Sequence, residues 1–386
     1  MFAGIGGVEL GLSAAGHTSR LLCEWDDAAR RVLRHRFSGV DLVGDVRDLR
    51  SLPDVDLISA GFPCQDLSQA GTMAGIRGAR SGLVSEVFRL LEVAKPRWLL
   101  LENVPFMLQL DGGEAMRFLT TELSNQGYRW AYRVVDSRAF GLPQRRRRVI
   151  LLASRTEDPR SVLLADDTGP LAHPKAFRDD NARLPKSIAC GFYWTEGTRG
   201  LGWATNAVPT LKGGSGFGIP SPPAIVLPAR GTRDHRIVTP HIRDAERLQG
   251  FVEGWTEPAE VGTVKSHTAR WKLVGNAVSV PVFEWVGRRL REPAAHLAAL
   301  DRPMTGRSWP TAAWSMDGTV VISDVSEWPE TSQTTPLHKF LQHEARDLSL
   351  RATTGFLRRF EKSGLGKPDG FIPALKAHIT HMKRAG

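Results

Sequence analysis

Cysteine is scarce in this chain: Cys23, Cys64 and Cys190 are the only three in 386 residues, with no Cys-x-x-Cys pair among them. That excludes a disulfide framework and offers no metal-ligand spacing, so no metal is expected and a conspicuous cysteine is better read as chemistry than as a staple. No apolar run approaches the roughly 20 residues of a membrane span. The start at Met1 lacks the basic residues, apolar stretch and cleavage site of a signal peptide. A cytoplasmic protein away from membranes is therefore expected. There is no internal repeat. Acidic residues are in deficit, 41 against 51 Lys plus Arg, and the formal net charge of +10 suits a polyanionic partner such as nucleic acid. Apolar residues are plentiful at 41%, enough for a core plus an accessory unit.

Residues 1–154 alternate short apolar strands, at 56–60, 98–101 and 149–153, with helical patterns at 27–37 and 83–93. Such alternation predicts an α/β domain with a doubly wound parallel sheet. Residues 155–236 turn rich in Gly, Pro and Arg with no long periodic segment, which reads as an inserted, loop-rich domain. Helical patterns at 242–248 and 278–290 mark a return to the α/β domain over residues 237–293. Residues 294–386 form a C-terminal accessory region, with a short strand pair expected at 311–322 and helices from Leu337. From Leu337 onward ten Lys and Arg face four Asp and Glu, so this appendage either contacts phosphates or docks a protein partner, unless it merely caps the core.

At the start, Phe2-Ala3-Gly4-Ile5-Gly6-Gly7 precedes a helical pattern, and Glu24 follows about 20 residues later. Glycines let a backbone approach a nucleoside and a carboxylate accepts ribose hydroxyls, although the same glycines could simply form a tight turn. Trp25 can stack on a purine, and Asp45 sits where a third strand would end. An acidic lining without a phosphate site suits S-adenosylmethionine better than a dinucleotide.

Three further segments fall at strand ends. Gly61-Phe62-Pro63-Cys64-Gln65 follows the strand ending at Ala60, which puts Cys64 on a loop at the sheet's carboxyl edge. Glu102, in Leu101-Glu102-Asn103-Val104-Pro105, ends a hydrophobic strand facing the same crevice and suits a proton donor, or else a helix cap. Gln144-Arg145-Arg146-Arg147-Arg148 leads into the strand at Val149 and could equally be a solvated charge run. Between Gln65 and Leu83, glycines alternate with Arg77 and Arg80, a composition that suits a basic lid.

In order and spacing these segments, with Cys23-Glu24-Trp25-Asp26, Gly44-Asp45, Arg243 to Phe251 and Gly275-Asn276-Ala277-Val278-Ser279-Val280-Pro281-Val282, resemble the cytosine-5 DNA methyltransferase family of bacterial restriction-modification type. The resemblance covers about residues 2–291. It implies a Rossmann-like methyltransferase sheet with an inserted target-recognition domain, double-stranded DNA as substrate and S-adenosylmethionine as cofactor. By the same resemblance Cys64 adds to C6 of a flipped cytosine, Glu102 holds N3 and the exocyclic amine, and Arg146 positions the base. Phe2, Gly4, Gly6, Asn276 and Val278 would meet the methionine part of the cofactor, with Glu24, Trp25 and Asp45 around the adenosine. Gln65, Arg80, Gln144 and Arg148 would contact DNA. Residues 65–83 correspond to the mobile catalytic loop, and Trp194-Thr195, Trp203 to Asn206 and Pro209-Thr210-Leu211 are expected to face the groove, with Lys212-Gly213-Gly214 near a phosphate. A monomer protecting self DNA is the expected setting. An RNA-directed enzyme on the same fold and a catalytically silent DNA-binding module are the competing readings. In the family the strand carrying the cofactor loop begins several residues before the Phe, whereas here Phe2 is the second residue, so either the true start lies upstream or this copy has a weakened central strand.

Overall fold

The computed structural model describes residues 1–62, 82–169, 184–194, 201–214, 221–229, 235–260, 265–366 and 368–385. The chain divides into two compact units. One comprises Met1–Ala139, Arg147–Pro170 and Val278–Thr331, and the other Phe140–Arg146, Leu171–Ala277 and Ser332–Gly386.

The strands of the first unit are β1 (Leu21–Cys23), β2 (Asp41–Val43), β3 (Leu57–Ala60), β4 (Trp98–Asn103), β5 (Arg129–Asp136), β6 (Arg147–Ser154), β7 (Asp301–Pro303), β8 (Ala312–Ser315) and β9 (Val321–Ser323). Among the described residues β1 and β2 form a parallel pair, and the others form a seven-stranded sheet in the order β7-β9-β8-β5-β6-β4-β3. The sheet is mixed rather than parallel: β3 and β4 run parallel, but β6 lies antiparallel between β4 and β5. In β4, Trp98-Leu99-Leu100-Leu101 is buried throughout, as expected of a strand covered on both faces. Leu99 and Leu101 share a core with Ile58, Leu151 and two helices, Leu83–Ala94 and Glu114–Asn125. The first of these helices buries Val84, Val87, Phe88 and Leu91 at helical spacing.

Helix Asp27–Arg36 starts where the Asp26 carboxylate accepts the N–H groups of Ala28 and Ala29 and ends on Arg34, His35 and Arg36, a cap and a charge gradient that favour those termini. Residues 1–6 contain no strand; Ala3 donates its N–H to the Cys23 carbonyl at 3.0 Å. Helix Gly7–Ala14 packs on helix Val280–Arg291, which returns the later sequence to this unit. Their approach depends on Gly11, where a Cβ would lie 2.5 Å from the Val280 carbonyl oxygen.

In the second unit an antiparallel five-stranded sheet has the order Arg346–Asp347, Ile237–Thr239, Ala224–Val226, Cys190–Trp194, Leu201–Thr205. Helices Leu350–Lys362 and Phe371–Ala385 cover it, and Phe356, Phe360 and Phe371 join Phe192 and Trp203 in one buried cluster.

The boundaries expected from composition therefore shift. Residues 184–239 contain five strands where described, in pieces of two to five residues too short to show a period. Residues 237–277 belong to the second unit, and the return to the first begins at Val278. The tail is not a separate appendage: its strands β7 to β9 extend the first unit's sheet through β8 on β5, and residues 332–386 belong to the second unit.

Candidate active site and cofactor-binding residues

The loop ahead of helix Gly7–Ala14 holds Phe2, Gly4 and Gly6 at φ of +56°, +58° and +84°. Gly6 has no room for a side chain, since a Cβ would stand 2.3 Å from the Phe37 ring. Gly4 differs, for a Cβ there would meet nothing within 4 Å. Its N–H donates to Glu24 Oε2 at 2.7 Å, and the Asp26 N–H donates to Oε1 at 2.8 Å. Each carboxylate oxygen is thus oriented by one backbone donor and retains further acceptor capacity. Burial pushes the Glu24 carboxyl above its ordinary value, against those two N–H bonds.

Trp25, next in the chain, is 69% exposed. Asp45 lies two residues past the end of β2 and accepts the N–H and guanidinium of Arg47, which holds its carboxyl below the usual range. Arg47 also lies 5.8 Å from the centre of the Trp25 ring. One arginine thereby links two of the three residues expected around an adenosine.

Glu102 sits near the end of β4. Gly61, which follows β3, is so close that a Cβ there would lie 3.7 Å from Glu102 Oε2. Glu102 Oε1 forms an ion pair with Arg148 Nε at 2.7 Å. The strand register explains the contact: Glu102 pairs with Ile150, and Arg148, two residues earlier on β6, shares that face. Burial lowers the Arg148 guanidinium below its ordinary value, with Glu102 opposing the shift. Cys64, Gln65 and Arg80 lie outside the described residues.

The arginine run is not wholly a solvated face, since Arg147 is exposed but Arg146 is buried. Gln144 is fully buried: its amide donates to the Leu248 carbonyl and Gln249 Oε1 and accepts the Leu211 N–H. Arg146, 2% exposed, donates to the carbonyls of Ala277 at 2.5 Å and Leu211 at 3.3 Å. The expectations for these two are therefore corrected. Gln144 is engaged internally rather than offered to DNA, and the arginine at Glu102 is Arg148.

Asn276 ends helix Lys265–Asn276 in the second unit, its Oδ1 lying 2.2 Å from where a Cβ at Gly213 would be, whereas Val278 is half-buried in the first unit. Gly275 is required by packing, because a Cβ there would fall 2.0 Å from the Lys212 carbonyl carbon. Trp203, expected to face a groove, is instead buried among phenylalanines, and Leu211 is buried as well.

The model of the C-5 cytosine-specific DNA methylase family matches residues 1–189. The Type II methyltransferase M2.BsuMI of Bacillus subtilis is 46% identical over 97% of this chain and 96% of its own length. The chain belongs to the C-5 cytosine-specific DNA methylase family. It is accordingly a DNA (cytosine-5-)-methyltransferase by class. The Type II methyltransferase M.NgoBI of Neisseria gonorrhoeae is 30% identical over 74% of this methylase and 89% of its own length. The S. pombe Dnmt2 methyltransferase structure, at 16% identity and a TM-score of 0.52, covers 75% of this chain and 97% of that one, and shares the fold.

In this methylase the residues around Glu24 fit a nucleoside cofactor. Open space over Gly4, a carboxylate fixed by two N–H donors and an exposed indole provide a hydroxyl acceptor and a stacking surface without a phosphate cradle. Sequence reading missed the Glu102–Arg148 pair and the part played by Arg47. The first was signalled by alternation along Arg148-x-Ile150, which sends every second side chain of a strand to one face.

Proposed function

We propose that this methylase transfers a methyl group from S-adenosylmethionine to C5 of cytosine in a specific duplex DNA sequence, through a bond between Cys64 and C6 of a base turned out of the duplex. The observation that supports this best is the position of Glu102: ion-paired to Arg148 and beside Gly61, three residues ahead of Cys64. C5 of cytosine is a poor nucleophile. A thiolate pair from Cys64 forms the S–C6 bond and moves the C5–C6 π electrons to C5. Glu102 holds N3 and the exocyclic amine, and Arg148 orients that carboxylate and the base. Once C5 carries the methyl group, the C5 proton leaves, the C5–C6 double bond re-forms and Cys64 departs with its electron pair.

S-adenosylmethionine, on which the family generally depends, supplies an electron-poor methyl group when bound. Glu24 would accept its ribose hydroxyls, Trp25 would stack on adenine, Asp45 would line the adenosine, and the Phe2 to Gly6 loop, Asn276 and Val278 would meet the methionine part. The second unit would read the target sequence, and the exposed basic side chains of its last two helices, among them Arg351, Arg358, Lys376 and Lys383, would add phosphate contacts. The relatives' names as Type II methyltransferases favour self-DNA protection in a restriction or phage-defence setting.

The test is methyl incorporation from labelled cofactor into duplex DNA and into RNA, joined to a methylome of a host expressing the gene. The expected result is 5-methylcytosine within one DNA sequence, abolished by Cys64→Ala. Methylation of RNA alone, or full activity of Cys64→Ala, would overturn the proposal.

A further inference from the structure

We infer that Asn103 is a positioning residue for the nucleophile, holding the chain two residues ahead of Cys64. The inference rests on the reading of Cys64 given above. β3 ends at Ala60, paired with Leu101, while β4 continues through Glu102 and Asn103. Past that point the parallel ladder no longer fixes the segment leading to Cys64. The Asn103 side chain takes over: its Nδ2 donates to the Phe62 carbonyl at 3.1 Å, and its Oδ1 accepts the Val104 N–H at 2.9 Å.

Asn103 is 6% exposed and Phe62 is buried, so the bond is shielded from competing water. An amide suits the place because it donates on one side and accepts on the other; an ionised carboxylate would only accept and would face the Phe62 oxygen. Neighbouring residues of β4 thus divide the work. Glu102 faces Arg148 for the base, and Asn103 reaches to Phe62 for the nucleophile.

The test uses the full chain with Asn103→Ala, Asn103→Asp and Cys64→Ala. Single-turnover methylation at saturating DNA and cofactor, and covalent trapping on a 5-fluorocytosine duplex, are expected to fall about 10- to 100-fold in Asn103→Ala, the range for a displaced reacting group. Affinities for DNA and cofactor should stay within about threefold of the parent if the residue only positions. Parent-like trapping, or a loss that disappears once both ligands saturate, would overturn the inference.

Asn103→Asp supplies a second arm if the alanine variant fails to fold. A protonated carboxyl regains the donor for Phe62, so activity relative to the parent should climb as pH falls; a flat, depressed ratio would overturn the inference. Cys64→Ala separates the two claims. If it still methylates, the reading of the nucleophile fails; if it is inactive while the Asn103 variants match the parent, only the positioning role fails.

Discussion

Replacing Phe371 by alanine should destabilise the second unit as a whole, although Phe371 lies far along the sequence from the sheet it covers. The ring is fully buried and meets Phe192 at 4.9 Å, Trp203 at 4.8 Å, Phe360 at 5.5 Å and Phe356 at 5.9 Å between centroids, mostly edge-on. Emptying such a site costs about 3–5 kcal/mol, the upper part of that range applying where neighbours cannot close the cavity. Here the neighbours come from two strands and one helix, which cannot all shift without breaking the sheet pairing. At about 2–4 °C per kcal/mol for a unit of this size, the melting transition of the second unit should fall by roughly 6–20 °C. Denaturant unfolding followed by tryptophan fluorescence reads the loss, because Trp203 lies in the cluster. Phe106→Ala is the control, being 59% exposed, and should change stability by less than about 0.5 kcal/mol. A Phe371→Ala protein within about 1 kcal/mol of the parent would refute the claim that the tail is integral to the unit.

Acid should loosen the same region through His378, which is buried, accepts the Ile237 N–H at Nδ1 and bonds the Leu348 carbonyl through Nε2. Burial lowers its value below the ordinary 6.5, against the Leu348 carbonyl, so the folded state prefers the neutral ring. Its contribution is complete above about pH 6.5 and is lost as pH falls towards the lowered value; melting curves between pH 7.5 and 5 should show this slope, reduced in His378→Gln. Glu24→Gln should weaken cofactor binding roughly 10- to 100-fold, the worth of hydrogen bonds to a charged acceptor, as read by calorimetry, and unchanged affinity would remove Glu24 from the site. Arg148→Ala should lower single-turnover methylation with little change in melting. Arg146→Ala should instead lower melting, at about 1–3 kcal/mol for each stranded carbonyl, and the reverse pattern would return the catalytic role to Arg146.

The sequence was most legible where strands are long and helices capped. Residues 98–101 and 149–153 read as strand and lie within observed strands, and helix Ile242–Leu248 has the bounds its periodicity predicts. Strand ends marked Glu102 because an apolar run stops there. What stayed hidden depends on pairing. Nothing local in Arg147 to Ser154 says that it runs antiparallel to β4, and that register decides which arginine meets Glu102. Ala224–Val226 and Ile237–Thr239 are too short for a period, so their sheet could not be separated from loop. Trp203 passed for a DNA contact because Phe371, whose ring meets it edge-on, comes from the far end of the chain.

The central claim is that Cys64 forms a bond to the target base while Glu102 and Arg148 hold that base. The most direct measurement incubates the protein and cofactor with a duplex carrying 5-fluorocytosine at the methylated position and maps the product by peptide mass spectrometry. Fluorine cannot leave as the C5 proton does, so the account predicts a stable protein–DNA species linked through Cys64, lost in Cys64→Ala and slowed in Arg148→Ala. An active enzyme that forms no linked species, or one linked at Cys23 or Cys190, would contradict it.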